Sequence, residues 1–197
     1  MSLLRGDNFY GSSFTTSNNY AFKQLFLTCC SLREAYDLVL PNNTRKYCYE
    51  SMFESACSKF YGPPKLPATV MSEGCYKSMF EGCNLSGDIA LPATTLASHC
   101  YERMFHSSHN PYVAILPATT LQPYCYKEMF YGCLRTTAPE LPATVLVEGC
   151  YQNMFNSCTN LNSVKCLAVD TSATNCTQYW LANVSTSGTF VKNSSKS

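Results

Sequence analysis

The sequence contains few charges and no cluster of one sign. Of its 197 residues 14% are charged, and 14 basic and 13 acidic side chains give a net charge of +1. Nucleic-acid-binding proteins carry a basic patch, and this chain has no run of lysine or arginine, so we expect no nucleic-acid partner. The hydrophobic content of 46% is sufficient for a packed core and is not typical of a disordered chain.

Long apolar runs are also missing. No stretch approaches the roughly 20 apolar residues of a membrane span, so we expect no membrane insertion. The opening residues, MSLLRGDNFYGSS, lack the apolar core of a secretory signal. The chain is therefore expected to be either cytosolic or part of a longer exported protein.

A unit of about 25 residues recurs along the chain, and such a period decides the fold. The unit reads L-P-A-T-x-L/V-x-x-x-C-Y-x-x-M-F-x-x-C/S, and copies begin at Leu66, Leu91, Leu116 and Leu141. A divergent copy begins at Leu40, and residues 21–29 keep the second half of an earlier one. One unit cannot bury its apolar face alone, so the units are expected to stack.

The two halves of the unit carry different signals. In the C-Y-x-x-M-F-x-x-C half of the last copy, Cys150, Tyr151, Met154, Phe155 and Cys158 would share one side of a two-turn helix. The prolines of the other half favour extended arms that pair in parallel between copies. The sequence therefore predicts an α/β solenoid, a leucine-rich-repeat-like right-handed coil of short extended segments and short helices, with about five to six coils.

We expect one domain over residues 1–197, which behaves as a monomer. Its parts are an N-terminal cap at 1–20, repeats at 21–165 and a C-terminal cap at 166–197. In the last part, Cys176, Trp180 and Val184 predict a final helix, and the residues GTFVK predict a short closing strand. Two rows of equivalent side chains are predicted to be buried, namely Leu66, Leu91, Leu116 and Leu141, and Phe53, Phe80, Phe105, Phe130 and Phe155.

Thirteen cysteines would suggest a disulfide framework in a small secreted domain. Here most recur in phase with the unit, which favours one small buried position in each copy. Equivalent side chains of stacked units point the same way, and this geometry suits a disulfide poorly. The sequence predicts buried free thiols at Cys48, Cys57, Cys75, Cys83, Cys100, Cys125, Cys133, Cys150 and Cys158. Any disulfide is expected among Cys30, Cys166 and Cys176. The tyrosine after the first cysteine is predicted to pack with its hydroxyl at the rim of the core.

The units resemble the BspA-like leucine-rich repeats of bacterial surface proteins, some protist proteins and related phage proteins. The stretch LPATVLVEGCYQNMFNSCTNL matches that pattern at Pro142, Phe155, Cys158 and Leu161, and the resemblance covers roughly residues 20–168. The copies are about two residues longer than that family's unit, and Met-Phe replaces its Ala-Phe pair. The resemblance implies a repeat fold, an extracellular setting on a cell or virion surface and an interaction role, and it implies no active site.

Two groups of residues resemble chemical sites, and each has a simpler structural explanation. His99, Cys100, His106 and His109 are zinc-ligand types, but Cys100 belongs to the buried series and the histidines occupy surface positions, so no metal is expected. Cys100 beside His99 does not make a nucleophile and base, because adjacent side chains diverge, so we expect no enzyme and no cofactor. The tripeptide Arg5–Asp7 resembles an integrin-recognition motif and is attributed to chance.

The sequence leaves two non-enzymatic functions open. The first is a surface-exposed interaction or adhesion module that binds a protein or a glycan through a repeat-built surface. Its candidate contact residues are Tyr112, Tyr131, His106, Arg103 and Lys127. The second is a structural spacer or display domain of a larger surface or phage protein, without a ligand of its own. The changing residues Lys77, Glu102, Lys127 and Gln152 favour the first only slightly, since sequence drift produces the same change.

Overall fold

The computed structural model describes residues 18–32, 34–56, 60, 62–85, 87–109, 112–113 and 115–194. Within these residues there is no α-helix, and the regular strands are β1 (Ser163–Cys166) and β2 (Thr189–Lys192), which pair in parallel with Val164 opposite Phe190. Most of the predicted N-terminal cap, with Arg5–Asp7, and the predicted thiol of Cys57 lie outside the described residues. The same part of the chain holds no helix long and apolar enough to cross a membrane.

The segments for which we predicted helices are instead chains of overlapping β-turns. In residues 124–133 the Met129 N–H donates to the Tyr126 carbonyl and the Tyr131 N–H to the Glu128 carbonyl, both at 3.2 Å and both three residues back. Every fourth residue has a left-handed backbone, with φ near 54° at Glu128 and 68° at Gly132. An α-helix needs bonds to the fourth residue back and negative φ throughout, so the helix prediction is wrong.

We call each such segment a turn ladder and number the seven that occur in the described residues. Ladders 1 to 7 are residues 20–29, 47–56, 74–83, 99–108, 124–133, 149–158 and 175–184. The spacing of Cys-Tyr, Met-Phe and Cys is four residues, and the left-handed positions recur at the same interval. A four-residue period therefore fits the ladder as well as it fits one face of a short helix.

Alternate backbone N–H groups of each ladder donate to the next ladder in the chain. The Arg103 N–H donates to the Lys127 carbonyl and the Phe105 N–H to the Met129 carbonyl, each at 2.9 Å. The Phe130 N–H continues the series to the Met154 carbonyl. In ladder 5 all ten N–H groups have a carbonyl partner, either within a turn or in or directly before ladder 6. The bonds between ladders all run from a donor to an acceptor further along the chain.

The extended arms pair in parallel between successive copies, as predicted. The pairs are isolated bridges, among them Val70 with Thr95, Ile115 with Glu140 and Val145 with Asp170. Proline follows the leucine of each L-P-A-T motif and has no N–H to donate, which prevents a continuous series of strand hydrogen bonds there. Among the described residues only β1 and β2, which contain no proline, form four-residue strands.

Both predicted side-chain rows are buried, which confirms the register of the repeat. The L-P-A-T leucines are at most 5% exposed, and the phenylalanines are fully buried. Neighbouring rings of the phenylalanine row stack with centroids 5.4 Å apart for Phe105 and Phe130 and 5.5 Å apart for Phe130 and Phe155. Ring stacking between copies adds to the free energy of area burial, so the row joins the copies together.

The repeat extends further toward the C-terminus than the sequence suggested. Residues 175–184, where we predicted a closing helix, form ladder 7, and the Tyr151, Asn153 and Phe155 N–H groups donate to its carbonyls. The predicted closing strand is present as β2. In ladder 2 the row of the second cysteine is occupied by Ala56, whose N–H bonds the Phe53 carbonyl as that of Cys83 bonds Phe80. The prediction that Cys57 belongs to the row of second cysteines is therefore wrong by one residue.

The second cysteine of each unit donates a hydrogen bond to a buried carbonyl. The Cys83 thiol donates to the Phe53 carbonyl at 2.8 Å, and the Cys133 thiol donates to that of Phe105 at 3.1 Å. Ser108 stands in the same row and donates to the Phe80 carbonyl at 2.6 Å. Serine can replace cysteine in this row because it is small and donates the same hydrogen bond, whereas Ala56 of ladder 2 shows that the small volume alone is the stricter requirement.

The cysteines of both rows are buried where the structure describes them, as predicted, and no disulfide joins any described cysteine. Cys30, Cys166 and Cys176 form no disulfide either, and Cys30 is exposed. Burial raises the pKa of the Cys48 and Cys158 thiols to about 11, because a thiolate is poorly solvated in the core. Thiols of this kind react slowly.

The tyrosine hydroxyls do not lie at the rim of the core. Five of them are buried and have no hydrogen-bond partner in the part of the chain that is described, namely those of Tyr49, Tyr76, Tyr101, Tyr126 and Tyr151. Burial raises the pKa of the Tyr101 hydroxyl well above its usual value. A buried hydroxyl without a partner destabilises the fold, so this row contributes stacking rather than hydrogen bonding.

Two substitutions in ladder 4 should separate the contribution of ring packing to stability from that of the tyrosine hydroxyl. Replacing Phe105 by Ala should lower the free energy of unfolding by about 3–5 kcal/mol, because it leaves a large cavity in the core. Replacing Tyr101 by Phe removes an unpaired hydroxyl and should change stability by no more than about 1 kcal/mol, in the stabilising direction. Urea denaturation measures both values. A clear loss for Tyr101→Phe would show that the hydroxyl has a partner.

The two cysteine rows should respond in opposite ways to serine and alanine. Cys133→Ser keeps the bond to the Phe105 carbonyl and should be more stable than Cys133→Ala by about 1 kcal/mol. Cys125, in the first row, donates to no carbonyl in the described chain, so Cys125→Ala should be more stable than Cys125→Ser. The four midpoints of thermal unfolding give the comparison, and the same order in both rows would contradict it.

Candidate contact face

The polar side chains of the turn ladders form one face of the stack, which we call the contact face. It is built from the fourth, fifth and eighth residues of each ladder, which alternate with the buried cysteine, tyrosine, methionine and phenylalanine. In ladders 4 and 5 these positions hold Glu102, Arg103 and His106, and Lys127, Glu128 and Tyr131. Four of the five predicted contact residues, Arg103, His106, Lys127 and Tyr131, therefore lie on this face.

The fourth residues of the ladders form a column of alternating charge. Lys77 and Glu102 are 2.9 Å apart, and Lys127 lies 3.5 Å from the other oxygen of Glu102. At the start of the column Lys23 pairs with Glu50 at 2.8 Å. The column ends in two glutamines, in which the Gln152 amide donates to Gln178 at 2.6 Å. The change of residue from copy to copy is thus explained by pairing between neighbouring copies.

Glu102 is the most enclosed charge of the column. It is only 5% exposed, and the His99 ring nitrogen lies 2.7 Å from its carboxylate. Burial would raise the pKa of Glu102, but the hydrogen bond and charge of Lys77 and the contact with His99 outweigh it and lower the pKa. The carboxylate is therefore charged in the folded protein at neutral pH.

Arg103 joins three successive ladders. Its guanidinium donates to Glu81 of ladder 3 at 2.5 and 3.1 Å and to Glu128 of ladder 5 at 2.5 Å. Hydrogen bonds to Glu81 raise the pKa of Arg103 despite its partial burial. The planar guanidinium can serve two carboxylates at once, which an ammonium group does less well. The groups that Arg103 would offer to a ligand are thus already bound within the stack.

The rings of the face are also paired between ladders. His106 stacks on Tyr131 with centroids 4.7 Å apart, and beside the face the first residues of ladders 4 and 5, His99 and Tyr124, stack at 5.0 Å. The His106 ring is 3.6 Å from Glu81. Burial and the charge of Arg103 lower the pKa of His106, so the ring is neutral at pH 7. One side of each ring is therefore covered by its neighbour.

Tyr112 is the predicted contact residue that lies elsewhere. It sits in an extended arm, where it pairs with Asp88, and its side chain is 57% exposed. No ring contact or hydrogen bond of its side chain occurs in the described residues. Of the five candidates Tyr112 is thus the one with a large surface available to another molecule.

Arg135 is a buried charge that the sequence analysis missed. Its guanidinium lies over the Phe130 ring at 4.6 Å and donates to the carbonyls of Thr137 at 2.6 Å and Val113 at 3.3 Å. Burial lowers the pKa of Arg135 to about 10, because no carboxylate accompanies it among the described residues. No other repeat has an arginine at this position, so the repeat pattern did not predict a buried charge here.

The residues considered for zinc are held apart by these contacts. Cys100 is fully buried, whereas His99 and His106 bond and stack on the contact face and His109 is exposed. No group of three metal-ligand side chains occurs within the described residues. Burial raises the pKa of Cys100 well above its usual value, which is the opposite of what a catalytic nucleophile requires.

Neutralising Glu102 should test the charge column. Glu102→Gln should lose about 1–3 kcal/mol of stability at pH 7, because two lysines lose their partner. A lowered carboxyl pKa stabilises the fold above the unfolded value near 4.5 and ceases to do so as the pH falls through the folded pKa. The difference from the parent protein should therefore shrink below pH 4.5.

Glu128→Gln, which removes a more exposed pair, should lose less than about 1 kcal/mol. Urea titrations at pH 3 and pH 7 measure these differences, and a pH-independent loss would contradict the assignment.

The chain was also compared with known proteins. It matches no protein-family model, no curated protein and no solved structure. The likeness to BspA-like leucine-rich repeats therefore rests on its own motif residues, Pro142, Phe155, Cys158 and Leu161.

Proposed function

We propose that this chain is a non-enzymatic structural and display module, a leucine-rich-repeat-like solenoid within a larger protein of a cell or virion surface. Its repeats bind one another, and the stack sets the distance between whatever is attached to its ends. The observation that carries the proposal is the pairing of the contact face. Lys77, Glu102 and Lys127 differ from copy to copy in a way that neutralises charge between copies.

A second feature supports a structural role. The L-P-A-T threonines are exposed and identical in the four regular copies, namely Thr69, Thr94, Thr119 and Thr144. A surface that recognises one ligand usually concentrates distinctive side chains at one place, with aromatic and arginine anchors at its centre. Here the exposed arms repeat the same short polar residue, and the arginine of the contact face is bound to Glu81 and Glu128.

The thiols are compatible with the proposed extracellular setting. Oxidation requires access and thiolate character, and the cysteines of both rows have neither, since they are buried and burial raises the pKa of groups such as Cys100 and Cys158. Cys29, which is partly exposed, and Cys30, which is exposed, are the exceptions. A stack of this kind would therefore keep its thiols in an oxidising environment.

A second candidate function is binding of a protein or glycan, and the exposure of Tyr112 favours it. An exposed aromatic ring offers a surface for sugar or side-chain stacking. An array of bacterial and mammalian glycans would test it. Saturable binding that Tyr112→Ala abolishes and Tyr112→Phe retains would support this second function over the first.

Removal of one whole repeat tests the structural role. Deleting residues 116–140 joins Ile115 to Leu141 in phase, so ladder 4 can donate directly to ladder 6. Because repeat stacks are stabilised by nearest-neighbour contacts, we expect a cooperatively folded chain of lower stability and smaller urea m-value.

Deleting residues 116–128 is the matched control. It places the next ladder out of phase and should prevent folding of the C-terminal part. Circular dichroism and urea denaturation of both variants provide the measurement. Equal damage from the two deletions would contradict a role that depends only on the stack.

A further inference from the structure

The two ends of the stack carry opposite sets of unpaired backbone groups. In ladder 7 alternate N–H groups have no partner in the described chain, at the positions that in earlier ladders donate onward. They belong to Asn175, Thr177, Tyr179, Leu181 and Asn183. In and beside ladder 1 alternate carbonyls likewise have no partner among the described residues. They belong to Asn19, Ala21, Lys23, Leu25 and Leu27.

We propose that the donor edge of ladder 7 docks on the acceptor edge of ladder 1 in a second copy of this chain, so that copies associate head to tail. The contact is the one that already joins each ladder to the next within the chain. There, five N–H groups of ladder 1 bond five carbonyls in and beside ladder 2 at 2.8–2.9 Å. Docking between copies would repeat this arrangement between ladders 7 and 1.

The edge chemistry selects this partner over an ordinary β-strand. A strand edge presents N–H and C=O groups in alternation, so its N–H groups would oppose those of ladder 7. The donor edge needs a partner that presents carbonyls alone, at every second residue. The ladder 1 edge has that pattern. Two donor edges cannot pair, which also excludes a two-fold symmetric dimer through this surface.

The donor edge is accessible along its length in the described chain. After Asn183 the backbone turns back along the preceding copy, where the Ser185 N–H bonds the Leu161 carbonyl and the Thr189 N–H bonds that of Asn162. β2 then pairs with β1. These residues complete the seventh copy and do not cross its outer edge.

Apolar groups accompany the hydrogen-bonding edge at both ends. A pocket of about 200 Å³ opens at the C-terminal end and is lined by residues that include Leu146, Trp180 and Phe190. At the other end Leu25 is 46% exposed, in the row that is buried as methionine in ladders 2 to 6. Each end therefore exposes apolar groups that belong to the interior rows of the stack. Docking would bury the exposed apolar groups of both ends.

The charge column supplies a variant that tests the contact. Docking would place the neutral Gln178 of one copy beside Lys23 of the next, at equivalent positions of the column. Gln178→Glu adds an ion pair across the contact, and Gln178→Lys adds a repulsion. Because exposed pairs are weak, we expect each to change the association constant by about two- to five-fold, upward for Glu and downward for Lys, at low salt. The effects should vanish in high salt.

Sedimentation velocity over roughly 10 µM to 1 mM provides the test, and association is expected to continue beyond a dimer because each added copy leaves both edge types open. Gln122→Glu and Gln122→Lys make the same charge changes just before ladder 5, away from both edges, and should leave association unchanged. Amide exchange locates the contact, since the five edge N–H groups should slow with concentration while those of Cys176 and Gln178 are slow throughout. A concentration-independent monomer, a closed dimer, or equal association of Gln178→Glu and Gln178→Lys would overturn the proposal.

Discussion

The structure depends on the direction of the hydrogen bonds between turn ladders. Half of the N–H groups in a ladder bond within their own turns, and the other half bond carbonyls of the next ladder along the chain. No ladder can satisfy its own backbone, since its remaining donors face one neighbour and its remaining acceptors face the other. Unpaired buried backbone groups are costly, so the copies are stable only as a stack.

The rows of side chains follow from this constraint. Parallel bonding in constant register places equivalent residues of successive copies beside one another, so that phenylalanine stacks on phenylalanine and lysine meets glutamate. The non-glycine residues with positive φ, such as Arg103 and Glu128, carry a local strain of about 1 kcal/mol or more. The bonds to both neighbouring ladders offset it. At each position of the repeat, the side chain is therefore limited to those that can pack against or pair with the equivalent residues of the two neighbouring copies. Ser108 and Glu102 are examples.

Much of the packing could be predicted from the sequence, whereas the backbone conformation could not. The buried leucine and phenylalanine rows and the parallel arms follow from the 25-residue period, which fixes what lies beside what. The helix prediction was wrong because Cys-Tyr, Met-Phe and Cys at four-residue spacing are compatible with both a short helix and a turn ladder. One signal distinguished the two, since Gly74, Gly82, Gly132 and Gly149 occupy left-handed positions in phase. The partners of Arg103 and Glu102 needed the register between copies, and burial of Arg135 has no counterpart in other repeats.

The direct test of the ladder is the identity of the acceptor for one backbone N–H. Scalar coupling across a hydrogen bond, measured by nuclear magnetic resonance between an amide nitrogen and a carbonyl carbon, identifies that acceptor. The structure pairs the Phe105 N–H with the Met129 carbonyl, 24 residues further along the chain at 2.9 Å. Coupling between these two groups would establish the bond between ladders. Coupling of the Phe105 nitrogen to the Tyr101 carbonyl, four residues back, would show a helix and contradict the account.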